Sequence, residues 1–221
     1  MPPLNAEAAL PAPRRERRKD SRPGELLDAA LDCFVERGYA ACRLDDVARR
    51  AGVSKGTLYL YYPSKDELFK AVVRRSIVPL LDEFRRDLET SRAASQDVLA
   101  HFFRGWWSRI GETRLAGIAK LVIGEAGNFP DLARFFQEEV TEPNMRLLST
   151  ILNRGIERGE FRAIDTEVAV HLWMSPLILK AIWTHSILPC CPELEAIPAE
   201  RFLRTHVQMI LSVLKTEAAP R

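Results

Sequence analysis

Residues 23–68 carry the pattern that most restricts the fold, because short apolar runs at helical spacing alternate there with glycine and capping residues. Gly38 follows the first run and Gly52 the second, and glycine commonly ends helices. Ser54 can cap a third helix, and Ser64 begins a Ser-Lys-Asp-Glu capping box for a fourth. The apolar positions of the first two runs are Leu27, Ala30, Leu31 and Phe34, then Leu44, Val47, Ala48 and Ala51. Three short, closely joined helices predict a small helical bundle.

The rest of the sequence is helical in pattern, with no alternating run that would indicate a strand. The fourth helix is predicted to run on through Phe84, and Pro143 is expected to kink or break a later helix. Asp165 can cap the helix after that. We therefore predict an all-α protein with a three-helix N-terminal domain and a larger C-terminal helical domain. The predicted boundaries are 1–22 for a flexible basic arm, 23–68 for the N-terminal domain and 69–221 for the C-terminal domain.

Positive charge is concentrated in the first third of the chain. Residues 1–75 contain 15 Lys and Arg against 11 Asp and Glu, whereas the remainder contains 17 against 19. A basic end on a mildly acidic remainder is expected when that end meets nucleic-acid phosphates. The arm is either a solvated tail or a segment that reaches DNA phosphates or a minor groove.

Several protein classes find no support in the sequence. Cys33, Cys42, Cys190 and Cys191 show no disulfide spacing, which favours a reduced, cytoplasmic protein. No apolar run is long enough to span a bilayer, and no secretory signal is recognisable. The absence of a Gly-rich phosphate loop, a nucleophile elbow and a zinc-protease motif predicts no catalytic residues, no cofactor and no enzyme activity. His185 with the last two cysteines could bind a metal or respond to redox, but plain loop cysteines are the simpler interpretation, so no metal site is predicted.

Residues 44–61 have the layout of a helix-turn-helix, in which a first helix braces a second that enters the major groove of DNA. Val53 and Leu58 are apolar and should anchor the second helix on the inside. Lys65, at the start of the next helix, is placed to bind a phosphate. The residues left for bases and phosphates on the outer face are Lys55, Gly56, Thr57, Tyr59 and Tyr61.

Four stretches between residues 38 and 68 follow one another in a specific order and spacing: Gly38-Tyr39, Leu44-Asp45-Asp46-Val47-Ala48, Ala51-Gly52-Val53-Ser54-Lys55-Gly56-Thr57-Leu58-Tyr59 and Tyr62-Pro63-Ser64-Lys65-Asp66-Glu67-Leu68. Together they resemble the DNA-binding domain of the TetR family of transcriptional regulators. The sequence departs from the family at Cys42, where Thr or Ser is common, and at Tyr62, where Phe is usual. The resemblance implies base or phosphate contacts from the five outer-face residues above, a phosphate contact from Lys65, and a contact near Arg43.

The C-terminal half resembles, more loosely, a TetR subgroup that includes repressors of efflux genes, through residues 121–126, 129–133 and 159–161. The family implies a ligand cavity inside helices four to seven and a dimer interface formed by the last two helices. One set of aromatic residues either lines a mostly apolar pocket or belongs to an ordinary core. The set consists of Phe84, Phe102, Phe103, Trp106 and Trp107.

The last two predicted helices are apolar over most of their surface, which one globule could not easily bury. They form either a thick intramolecular core or, paired with a twofold copy, an isologous four-helix interface. The residues predicted for that interface are Leu172, Trp173, Leu179, Trp183, Phe202, Met209, Ile210 and Val213.

Together these features predict a homodimeric transcriptional regulator whose partners are double-stranded operator DNA and a small-molecule effector. The favoured interpretation is a repressor that binds a palindromic operator and is released by a lipophilic or aromatic effector. The alternative is a sequence-independent architectural protein, which would bind any duplex with similar affinity.

Overall fold

The structure is a computed structural model that describes residues 17–191, 193–194 and 197–215, and the backbone of this part of the chain is helical without a β-strand. The all-α prediction is therefore confirmed. The helices are α1 (Arg17–Ala41), α2 (Leu44–Arg50), α3 (Lys55–Tyr61), α4 (Lys65–Ser76), α5 (Val78–Thr90), α6 (Ser95–Trp106), α7 (Ala116–Glu125), α8 (Pro130–Phe136), α9 (Glu142–Glu157), α10 (Thr166–Ser186) and α11 (Ala199–Leu214).

The expected helix caps are present. Gly38 and Gly52 have φ angles of 81° and 66°, which L side chains rarely adopt, so the chain turns at these two glycines. Three side-chain oxygens each accept a hydrogen bond at 3.1 Å from the amide three residues later: Ser54 from Thr57, Ser64 from Glu67, and Asp165 from Val168. Each bond satisfies an amide that has no partner within its own helix.

Two helix boundaries differ from the prediction. α1 begins at Arg17 and not at Pro23, because the arginines and lysine before the proline favour helix. The other residues of the predicted arm, 1–16, lie outside the described residues. The predicted long fourth helix is wrong: it is divided at Ile77 into α4 and α5. Pro79 lacks an amide hydrogen and cannot pair with the carbonyl of Arg75, which interrupts the helix there.

Two π-helical turns interrupt the C-terminal helices. One, Gln137–Thr141, directly precedes α9, whose second residue is Pro143, so the predicted disturbance at this proline takes the form of a widened turn. The other, Trp107–Gly111, follows α6. A π turn inserts one residue and rotates the side chains that follow by roughly 100°. Both turns contribute to the wall of the cavity described below.

The four N-terminal helices and the C-terminal helices share one continuous hydrophobic core. Tyr39 and Phe129 join the two parts, with ring centroids 4.8 Å apart. α7 packs on α1, whereas α10 packs on α7 and α9. Among the described helices, none combines the length and the apolar character that crossing a bilayer requires.

Candidate nucleic-acid interface and ligand cavity

α2 and α3 form the predicted helix-turn-helix. Val47 and Ala48 bury α2, and Leu58, which is fully buried, anchors α3 from below. Lys55, Gly56, Tyr59 and Tyr61 are exposed on α3, whereas Thr57 is half-buried and its hydroxyl lies 2.8 Å from that of Ser54. The outer face therefore presents polar groups to a duplex, with one threonine partly occupied by the cap.

Lys55 is held against the protein by Asp45 of α2. The two charged groups are 2.8 Å apart, and the hydrogen bond from the amine to the carboxylate raises the pKa of Lys55, so the amine is charged at neutral pH. Both side chains are more than half exposed, and exposed ion pairs add little stability. A DNA phosphate or guanine can therefore replace Asp45 at low cost.

Lys65 covers the C-terminal end of α1. Its Nζ donates to the carbonyl oxygens of Tyr39, at 2.8 Å, and Ala40, at 3.2 Å, and lies 4.6 Å from the Tyr39 ring centroid. This position favours a cation, because the carbonyl ends of helical peptides are partly negative. An ammonium has three donors, so one remains for the phosphate contact predicted from the sequence.

Replacing Lys65 by alanine is expected to weaken binding to every duplex. The slope of log affinity against log salt should fall by about one unit, since one phosphate contact releases about one counterion. Salt titrations followed by fluorescence anisotropy measure the slope. A melting curve measures the stability lost with the two hydrogen bonds from Lys65 to the end of α1. Lys70→Ala is the matched control, because the Lys70 amine lies beside Glu67 and the Phe135 ring. An unchanged slope in Lys65→Ala would exclude the phosphate contact.

Leu60 and Arg43 are two further exposed positions of this surface. Leu60, which was not singled out, is 81% exposed on α3 between the two tyrosines. An exposed leucine beside polar groups suits the methyl group of thymine. Because Leu60 lies on the opposite side of the helix from the apolar anchor Leu58, its exposure could have been predicted from the sequence. Arg43 is exposed directly before α2 and has no ion pair among the described residues, so its side chain is free to reach a phosphate.

Cys42, one of the two departures from the family pattern, is a core residue. It is 1% exposed, and its sulfur lies 2.7 Å from that of Cys33, which is 3% exposed. Burial raises the pKa of the Cys42 thiol, with the Cys33 contact as the next cause. The residue therefore packs α1 against the start of α2 and neither caps a helix nor reaches DNA.

A small cavity of about 70 Å³ lies among the C-terminal helices. Ile77 and Leu81 contribute from the junction of α4 and α5, and Met174 contributes from α10. The wall is apolar except for Thr141 and Asn144, and no charged side chain lines it. Such a wall suits a hydrocarbon ligand.

Of the five aromatic residues predicted to bind a ligand, the structure places Trp106 at this cavity. Phe84 and Phe102 stack edge to face, at 5.6 Å between ring centroids, and line a separate groove beside α6. Phe103 and Trp107 face α11, with ring centroids 5.3 Å from His206 and 6.5 Å from Phe202, respectively. Neighbouring positions on a helix differ by roughly 100°, so Phe102, Phe103 and Trp106 spread over more than one face of α6, while Phe84 belongs to α5.

Asn144 is the cavity residue that sequence reasoning missed although a signal existed. It lies three, four and seven residues before Leu147, Leu148 and Ile151, which form the buried face of α9. A polar residue in an apolar stripe at helical spacing was the available signal.

α7 separates the cavity from the DNA-binding domain. Leu115, just before α7, and Ala119 line the cavity. On another face of α7, Gly117 lies against Val35 of α1. A displacement of α7 by a ligand would therefore act directly on α1.

Polar contacts fix both ends of α7 to α1. Before α7, Arg114 binds Asp32 of α1, and the other oxygen of Asp32 lies 3.0 Å from Arg50 at the end of α2. At the other end, the Glu125 carboxylate accepts a hydrogen bond from the Ala40 amide at 3.1 Å. Asp32 thus connects the C-terminal domain to the first helix of the helix-turn-helix.

The outer faces of α10 and α11 are apolar and exposed. Trp173 and Phe202 of the predicted interface are half-buried. The prediction that Ile210 lies in the dimer interface is wrong. Ile210 is 3% exposed because it lies on the inward face of α11 with Val207 and Leu214, so it cannot contact a second copy. The other five predicted residues are exposed by 44–66%: Leu172, Leu179, Trp183, Met209 and Val213.

His185, Cys190 and Cys191, the residues considered for a metal or redox site, have other surroundings in the structure. His185 Nε2 lies 2.9 Å from the carbonyl oxygen of Gly111. Cys190 is exposed and Cys191 is half-buried. No group of three or more His, Cys, Asp and Glu residues with metal-binding geometry occurs within the described ranges.

Two family descriptions match this chain. "Bacterial regulatory proteins, tetR family" matches residues 26–72, which contain the helix-turn-helix. "Tetracyclin repressor-like, C-terminal domain" matches residues 93–189, which contain most of the cavity wall.

Known relatives support the same assignment. The chain is 32% identical over 146 residues to the HTH-type transcriptional repressor KstR2 of Mycobacterium tuberculosis, covering 65% of this chain and 70% of that protein. It is 23% identical over 154 residues to the fatty acid metabolism regulator protein of Bacillus subtilis, covering 68% and 78%. The HTH-type transcriptional activator FasR of Mycolicibacterium smegmatis is 47% identical over 73 residues, a match that spans only 33% of each chain. Of these three names, none refers to efflux.

Solved structures share the fold. FadR from Bacillus subtilis, solved in complex with stearoyl-CoA, has a TM-score of 0.68 at 20% identity, covering 86% of this chain and 98% of that one. The fatty acid degradation regulator FadR from Bacillus halodurans has a TM-score of 0.70 at 21% identity, covering 86% and 94%. The extent of the KstR2 match and the two family descriptions lead to one conclusion: the chain belongs to the TetR family of transcriptional regulators, with a helix-turn-helix DNA-binding domain and a ligand-binding C-terminal domain.

Proposed function

We propose that this protein is a homodimeric repressor that binds a palindromic operator and releases it when a long-chain acyl effector of the acyl-CoA type enters the C-terminal domain. The observation that carries the proposal is the apolar, uncharged cavity directly behind α7. The relatives support it: KstR2 is named a repressor, a second relative is named for fatty acid metabolism, and the Bacillus subtilis FadR structure contains stearoyl-CoA.

The small size of the cavity accounts for how an effector could release the operator. At about 70 Å³ it is far below the roughly 300–1,000 Å³ of ordinary ligand sites, so an acyl chain can enter only if the walls move apart. The free energy for this movement comes from burial of the chain, at about 25 cal/mol per Å² of apolar surface. The ligand then binds the widened state more tightly and shifts the population towards it.

α7 transmits the widening of the cavity to the DNA-binding helices. Because this helix packs on α1 and is tied to it at both ends, its displacement reorients the helix-turn-helix of each protomer. A palindrome requires two reading helices at a fixed spacing, about one helical turn of DNA apart. A small rotation in each protomer is therefore enough to lose the operator.

The proposal is tested with the purified full-length chain. Selection from random duplexes should yield a palindromic consensus that is bound about a thousandfold more tightly than unrelated DNA. Stearoyl-CoA should release the selected duplex, whereas CoA alone should not, because it lacks the chain that widens the cavity. Fluorescence anisotropy measures both effects.

Two results would contradict the proposal. Equal affinity for all duplexes would favour the architectural DNA-binding alternative. Tight binding of stearoyl-CoA without any loss of DNA affinity would exclude acyl-CoA as the releasing effector.

A further inference from the structure

One side chain in the cavity wall is buried without a hydrogen-bond partner. Asn144 is 6% exposed, and its Oδ1 atom is inaccessible and unpaired within the part of the chain that the structure describes. An unpaired buried amide lowers stability, whereas an apolar side chain of the same shape would not. The presence of a polar side chain at this position needs another explanation, and the adjoining cavity offers one.

A second free polar group lies beside it. Thr141, three residues earlier and therefore on the same side of the helix, also lines the cavity. Thr90, Thr150 and Thr184 each bond their hydroxyl to the carbonyl four residues back, as helical threonines commonly do. Within the described ranges the Thr141 hydroxyl makes no such bond. Two hydrogen-bonding groups thus remain available on one wall.

The π turn before α9 brings these groups to the cavity. Thr141 is the last residue of that turn, and Pro143 in the next turn removes an amide that a regular helix would use. The extra residue rotates the following positions, so that Asn144 and Met145 continue the cavity wall with Val140. π turns within helices are frequent at functional sites, and the placement here gives this one a specific consequence.

The chemistry of the wall restricts the group that can bind there. No charged side chain lines the cavity, so an ionised carboxylate would lose its hydration without gaining a counter-ion. The two ends of an amide can exchange by rotation of the side chain, so Asn144 offers both a donor and an acceptor. The matching group is neutral and can itself donate and accept.

We propose that Asn144, together with Thr141, is the polar anchor of the effector cavity. It selects aliphatic ligands that carry an uncharged donor–acceptor group, an alcohol or an amide, over the carboxylate anion of the same length. The amide-bearing arm that follows the acyl chain in an acyl-CoA belongs to this class. The inference rests on the proposed function, because it assumes that the cavity is the effector site.

Three ten-carbon ligands test the anchor: decan-1-ol, decyl methyl ether and decanoate. In calorimetric titrations the wild type should bind the alcohol about threefold to tenfold more tightly than the ether, which accepts but does not donate. Decanoate should bind still more weakly at neutral pH. In Asn144→Leu, the alcohol and the ether should bind with equal affinity.

Thermal melting separates a binding role from a structural one. Because leucine has the same number and branching of heavy atoms as asparagine and removes the unpaired amide, Asn144→Leu should raise the Tm of the unliganded protein by about 2–8 °C. A purely structural asparagine would give a lower Tm instead. Asn153→Leu on the same helix is the matched control, since Asn153 is exposed, and it should change neither the Tm nor the ligand preference.

The outcomes distinguish the anchor from the proposed function. If the wild type binds the alcohol and the ether equally, or if Asn144→Leu keeps the preference, the anchor is refuted while the acyl effector stands. If the wild type binds none of the three ligands and no stearoyl-CoA, the cavity is not the effector site and both proposals are overturned. The ligand series on the wild type can refute the anchor even without a variant, and Asn144→Leu then assigns any preference to this side chain.

Discussion

Replacing Leu172 and Leu179 together by aspartate is expected to make the protein monomeric and to lower its operator affinity at least about a hundredfold. Both leucines are 63% exposed on the outer face of α10. In a twofold interface each substitution occurs on both copies, so four carboxylates would be buried without partners. Linking two DNA-reading domains raises affinity by roughly 10²–10⁴ through effective concentration, and a monomer loses that gain. Light scattering after size exclusion gives the mass, and anisotropy gives the affinity.

The control for this experiment is an equally exposed apolar residue on another surface. Ile123 of α7 is 65% exposed, so Ile123→Asp adds the same charge with the same starting exposure. This variant should remain dimeric and bind the operator normally. A double variant of α10 that still formed dimers would show that the α10 and α11 faces are not the interface.

The helix-turn-helix could be predicted because its determinants are local. Ser54 caps α3 through Thr57, and Gly52 turns the chain with a φ of 66°, all within a few residues. Helical spacing then decides that Leu58 is buried and Lys55 is exposed. The sequence contains every one of these interactions in a single short segment, so pattern reasoning was sufficient.

The cavity could not be located in this way because its walls come from distant segments. Ile77, Ala119, Asn144 and Met174 are separated by tens of residues and meet only after the helices have packed. Periodicity finds which face of α6 is apolar, but it does not say which neighbouring helix covers each aromatic ring. Trp106 therefore lies at the cavity, whereas Phe102 and Phe103 of the same helix face elsewhere, and a ligand contact from Trp106 stays a prediction.

The ion pairs that connect the two domains could not be predicted from the sequence either. Arg114 binds Asp32 across 82 positions, and Asp32 also reaches Arg50. Any of the many acidic residues of the chain could have paired with either arginine. Only the approach of α7 to α1, which depends on the small size of Gly117, selects this pair.

Replacing Gly117 by alanine is expected to lower operator affinity at least about tenfold while the dimer and its helices persist. A Cβ atom at this position would lie 2.6 Å from Val35 Cγ1 and 2.9 Å from Cγ2, closer than such atoms approach. Valine is stiff at its branched Cβ, so it cannot swing aside, and α7 must separate from α1. The variant thereby imitates the displacement that we propose for the effector. Its apparent affinity for stearoyl-CoA should rise, because part of the conformational cost is already met.

Two further variants decide whether the effect arises at this contact. Gly124 lies on the same helix, and a Cβ there would meet nothing within 4 Å. Gly124→Ala should therefore leave DNA binding unchanged and stabilise the protein by about 0.5–1 kcal/mol, the usual gain when alanine replaces a helical glycine. Adding Val35→Ala to Gly117→Ala removes both methyl groups in the way and should restore most of the operator affinity. If the double variant binds as weakly as Gly117→Ala alone, the loss does not come from this crossing, and α7 is not the helix that carries the signal.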